Sequence, residues 1–109
     1  MPQHTFGLME RAPVHGERYD RYEPWAYDGL SVEDELLEPL LPALALVDFF
    51  WHSLDVPGKG LAYYGITLIP PASMDAVIPL LGETPGLCGL RDLLAKARDR
   101  HLFVIHFGI

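Results

Sequence analysis

Ten prolines in 109 residues set the tightest limit on what this chain can fold into. Proline lacks a backbone N–H, and its ring clashes with the carbonyl one turn back. It therefore breaks helix interiors and stays out of central strands. Leu36, Leu37, Leu40, Leu41 and Leu44 follow helical spacing, but Pro39 and Pro42 interrupt them and predict a kink or two short helices. Pro70 and Pro71 stop an apolar run, and Pro79 shortens or bends the helix after it. Only short strands and modest helices remain.

The strand signals lie between these breaks. Residues 48–54 and 61–69 are rich in aromatic and β-branched side chains. "DVPGKG" between them reads as a hairpin loop, in which Pro57 presets a turn torsion and Gly58 tolerates positive φ. "LFVIHFGI" closes the chain as a strand. Residues 25–30, "WAYDGL", predict a weaker strand, followed by Ser31 as a helix N-cap. Ser73 caps a helix carrying Met74, Val77, Ile78 and Leu81. Leu87, Leu90, Leu93, Leu94 and Ala97 mark a second, amphipathic one.

Residues 1–22 are polar and read as an N-terminal arm with a short strand around 5–9, leaving 23–109 as a single α+β domain. The element order predicts a two-layer α+β sandwich, with a four-stranded, mostly antiparallel sheet and helices on one face. It resembles the ferredoxin-like split pattern, here as βαββααβ. Phe103, Ile105 and Phe107 are expected beneath the helices carrying Leu90, Leu93 and Leu94, with His106 on the opposite face.

The formal charge is −7, and residues 17–38 hold eight acidic against two basic side chains. Carboxylates repel a phosphate backbone, so nucleic-acid binding is disfavoured. No run approaches the 18 or more apolar residues of a membrane span, and no apolar signal segment opens the chain. A lone Cys88 fits a reducing compartment, so the expected setting is cytoplasmic.

No motif fixes a chemistry. The five histidines lack metal-ligand spacing, so no metal site is assigned, and no cofactor. Gly58-Lys59-Gly60 lacks the spacing and following helix of a phosphate-binding loop. A catalytic reading would pair His52 or His106 with Asp55 or Tyr63, but no nucleophile motif supports it, and no catalytic residue is assigned.

Two function classes remain. The first is a small acidic protein-binding module, of an inhibitor, immunity or regulatory kind, acting without catalysis. Its contact surface would be "ERYDRYEPWAYD", with Tyr19, Asp20, Tyr22, Glu23, Trp25, Tyr27 and Asp28, and its partner a basic protein. The second is a small-molecule site or enzyme on the sheet face around His52, Tyr63, Thr67 and His106. Surplus apolar groups at Leu61, Ile69, Leu102 and Val104 further predict a homodimer.

Overall fold

Alternation of side chains across one sheet organises the molecule. The structure is a computed structural model that describes residues 2–109. Six strands, β1 (Gln3–Met9), β2 (Leu30–Glu33), β3 (Asp48–Trp51), β4 (Pro57–Lys59), β5 (Ile66–Ile69) and β6 (Phe103–Phe107), form one sheet. Its order is β2-β1-β6-β5-β3-β4, and every pairing is antiparallel. The helices are α1 (Asp34–Leu37), α2 (Leu41–Leu44), α3 (Pro71–Leu81) and α4 (Cys88–Arg100). The class is α+β, and among the described residues no helix is long and apolar enough to cross a membrane.

This overturns the four-stranded ferredoxin-like arrangement. The first strand is not Trp25–Leu30: Pro24–Tyr27 form a 3-10 turn, which Asp28 ends in the left-handed region at φ 49°. The chain then enters β2 at Leu30, so Ser31 lies inside a strand and caps no helix. The segment read as an arm supplies β1, which sits inside the sheet between β2 and β6. The presumed loop "DVPGKG" supplies β4, an edge strand in which Pro57 faces Phe50 across the ladder, and a missing donor costs little at such an edge. Gly58 is required for space: a Cβ there would run into the Trp51 ring. The positive φ falls instead on Gly60. The second hairpin strand is shorter than 61–69, because Gly65 N–H donates to Ala62 O in a turn and β5 begins at Ile66.

The leucine-rich segment breaks as its prolines dictate, into α1, a 3-10 turn at Glu38–Leu40, and α2. α3 starts with Pro71 at its first position, where no N–H is needed. Helices and leucine-rich turns cover one sheet face. Phe6, Val32, Phe49, Ile69 and Val104 pack there with Leu37, Met74, Leu81, Leu90 and Leu94. Ile69 and Val104, two of the residues behind the expected dimer, lie in this core, and Leu61 and Leu102 pack against it.

The other face belongs to Met9, Ile66, Leu68, Ile105 and Phe107, with Tyr19, Tyr27, Phe50, Leu54 and Phe103 over or beside them. The face assignment of β6 is thus the reverse of the expected one: Val104 and His106 point toward the helices, while Ile105 and Phe107 point toward segment 10–29. Alternation defines two sets of side chains. It does not say which set meets a helix when both are apolar.

Candidate functional site

A chain of polar side chains crosses three strands of the sheet and reaches the start of α1. His4 on β1, Thr67 on β5 and His106 on β6 are fully buried on the helix side. His4 Nδ1 lies 2.8 Å from His106 Nε2, and His4 Nε2 lies 2.8 Å from Asp34 Oδ1 at the start of α1. The Tyr63 hydroxyl donates to Asp34 Oδ2 at 2.7 Å. At the other end His106 Nδ1 lies 3.1 Å from Thr67 Oγ1, which accepts the Ala62 N–H at 2.8 Å. The strand register makes this possible, because Phe6 and Thr67 both face His106 across the ladders, and His4 is one pleat beyond Phe6. The Phe6 ring packs on His106 and the Tyr63 ring on His4.

One proton arrangement satisfies every group. The Asp34 carboxylate accepts from His4 Nε2–H, which makes Nδ1 of a neutral His4 an acceptor. His106 then donates from Nε2, and its free Nδ1 accepts the Thr67 hydroxyl proton. All donors run toward the carboxylate, and no buried side-chain polar atom lacks a partner among the described residues. Buried polar groups are costly unless satisfied, so the chain holds its four elements in one register.

The electrostatics follow. Hydrogen bonds from Tyr63 and then His4 hold the Asp34 carboxyl below its usual range. The Asp34 acceptor raises Tyr63 to about 12. Burial, then the neighbouring His4, pushes His106 down to about 3. The groups run end to end instead of converging, and among the described residues no three His, Cys, Asp or Glu side chains are arranged to hold a metal ion.

Of the four sheet-face residues singled out from sequence, Tyr63, Thr67 and His106 meet in this chain, and His52 does not. His52 ends β3 in the left-handed region at φ 63°. Its Nδ1 lies 3.0 Å from both the Tyr19 carbonyl oxygen and the Asp20 carboxylate, and its own carbonyl accepts the Tyr19 N–H at 2.7 Å. Asp55 is engaged three residues further on, by His15 Nδ1 and the Gly16 N–H, each at 2.7 Å. Two reciprocal His–Asp pairs therefore strap segment 15–20 along residues 52–55.

The acidic aromatic stretch divides by burial. Tyr19 and Tyr27 turn inward and cover the arm-side core. Burial raises both phenols above their usual range, Tyr19 with help from Glu17. Tyr22 and Trp25 turn outward, 61% and 74% exposed, with ring centroids 6.3 Å apart. Asp20 is held below its usual range chiefly by Arg18, which grips it with two hydrogen bonds. Glu23 and Asp28 make no ion pair among the described residues.

A third outward ring joins them. Tyr64 is 82% exposed and stands edge-on to Tyr63, with centroids 4.8 Å apart. Tyr22, Tyr64, Asp20 and His52 line one groove of about 460 Å³, and Trp25, Tyr27 and Asp28 line a neighbouring cleft of about 570 Å³ beside Leu93 and Lys96. Comparison with protein-family models, curated proteins and solved structures finds no match. Reading by sequence alone missed His4, Asp34 and Tyr64. His4 is 102 positions from His106 and Asp34 is 30 from His4, so no local spacing links them. The signal present was a polar His4 alternating with Phe6 and Leu8 in "QHTFGLM".

Proposed function

We propose that this protein is a binding module for a basic protein partner, engaged through Tyr22, Trp25 and Tyr64 with Asp20, Glu23 and Asp28 at the rim. The observation that carries the reading is three large aromatic rings, Tyr22, Trp25 and Tyr64, left more than half exposed, while the other exposed apolar side chains, such as Leu46 and Val14, are aliphatic. Tyr and Trp dominate interface energetics because they bring large, rigid contact area at low entropic cost. The net charge of −7 steers a cationic partner and repels an acidic one. Tyr19 and Tyr27 act as the support, fixing the loop that presents Tyr22 and Trp25. The exposed free thiol of Cys88 fits work in a reducing, cytoplasmic setting.

Burial separates this reading from a ligand site on the sheet. His106 and Thr67 have no exposed surface, and His52 belongs to the strap on the other face. The test compares capture by the intact protein and by Trp25→Ala/Tyr22→Ala, whose changed residues are more than half exposed, with unfolding of the variant measured alongside because the Tyr22 ring also rests on Phe107. A basic protein retained by the parent at low salt, lost at high salt, and lost at least about tenfold by the variant is the expected result. Equal retention by the variant, or an acidic partner, would overturn the proposal.

A further inference from the structure

The sheet has a seam at β1–β6. On one side lie β1, β2 and, through Asp34, α1; on the other lie β6, β5, β3 and β4. His4 and His106 meet across it, nitrogen to nitrogen at 2.8 Å. A hydrogen bond at that point needs one proton between the two rings. In the neutral arrangement His106 Nε2 provides it.

One added proton can be housed. His4 becomes an imidazolium beside the Asp34 carboxylate, its Nδ1–H donates to His106 Nε2, and His106 Nδ1–H turns to Thr67 Oγ1. A second added proton cannot. Both facing nitrogens would then carry hydrogens, with no acceptor between two buried cations. We propose that the His4–His106 contact is an acid-releasable latch across the β1–β6 seam, closed while the pair holds at most one added proton and opened by the second.

Among the described residues the surroundings hold no second counter-charge. Asp34 and Tyr63 face His4; Thr67 and the Phe6 ring face His106. Glu38 and Tyr64 bear on Tyr63 from outside the pair. The buried side chains of α3 and α4 are Met74, Val77, Leu81, Leu90, Leu94 and Ala97, all apolar. One carboxylate offsets one cation. The low pKa of His106, set by burial and then by the charge of His4, agrees with this. Once the seam opens, the His106 ring regains water and its ordinary imidazole range near 6.5, so acid drives the opening. The latch stands independently of the partner reading.

The test uses the intact protein labelled with 15N at histidine, followed by NMR from about pH 8 to about pH 4, with amide-exchange protection factors measured alongside. While β1 remains protected, at most one of the two rings should be an imidazolium. As the second is protonated, protection of β1 and β2 amides should fall by up to about tenfold per pH unit, ahead of α4. In His106→Gln, which keeps an amide donor but cannot titrate, that dependence should disappear. Two fully protonated imidazoles with β1 protection undiminished would overturn the latch, as would the same pH dependence in His106→Gln. Should that variant not fold, the ring protonation and exchange of the parent protein still decide.

Discussion

Thr67 is the place to break the histidine chain without changing its charge. Thr67→Val keeps the shape but removes the donor to His106 Nδ1 and the acceptor for the Ala62 N–H, leaving both unpaired. Unmade buried hydrogen bonds cost about 1–3 kcal/mol each, so a drop in urea-unfolding stability of at least about 1 kcal/mol is expected. A neutral effect would mean that the chain is not closed at this end. The pH dependence has a definite sign. The folded-state pKa of His106 is depressed, so its contribution to stability is complete above about 6.5 and fades as pH falls toward about 3. Asp34, also depressed, adds a loss below its ordinary carboxylate range. Unfolding measured across this interval should show stability declining by up to about 1.4 kcal/mol per pH unit for each proton taken up. At this scale the sequence was partly legible: alternation put Tyr63 with Thr67, and His106 in a strand. Finding His4 and Asp34 required the fold, because the partners come from opposite ends of the chain.

At the scale of elements, β1 was legible only in part: residues 5–9 read as a short strand, but not its place inside the sheet. "QHTFGLM" carries Gly7 near its middle, and glycine weakens the strand propensity of such a run. The reason for Gly7 lies elsewhere: a Cβ there would come within 2.5 Å of Tyr27 Cβ, so the strand gives up a side chain to let segment 10–29 lie flat on the sheet. Gly7→Ala should lower stability by about 1–3 kcal/mol through overpacking, with exchange at Tyr19–Tyr27 rising first. Unchanged protection of that segment would separate it from β1. The prolines, by contrast, forecast the broken leucine segment correctly, since their effect is local and steric. Face assignment failed in β6 because both of its faces are buried. Phe107→Ala, on the face covered by Tyr22 and Tyr27, should therefore cost about 3–5 kcal/mol, as a helix-side core deletion would. A cost below about 1 kcal/mol in thermal or urea unfolding would mean that the covering segment collapses onto the gap or does not cover it.

For the molecule as a whole, a layer of helices, a six-stranded sheet and a covering segment use most of the apolar side chains for folding. Among the aromatic side chains, Tyr22, Trp25 and Tyr64 are left outside, with the carboxylates of Asp20, Glu23 and Asp28 in the same stretch. Composition and charge pointed the sequence reading toward a contact surface in residues 19–28. They did not reveal that half of the predicted aromatic surface faces inward, because Tyr19, Tyr22, Trp25 and Tyr27 look alike until the sheet beneath them is known. The central claim is that the outward half meets a partner. Amide exchange of the complex with its captured basic partner, compared with the free protein, tests it most directly. The account predicts added protection at residues 20–28 and 63–66, and none on the exposed face of α4. Protection confined to α3 and α4, with Tyr22, Trp25 and Tyr64 exchanging as in the free protein, would contradict it.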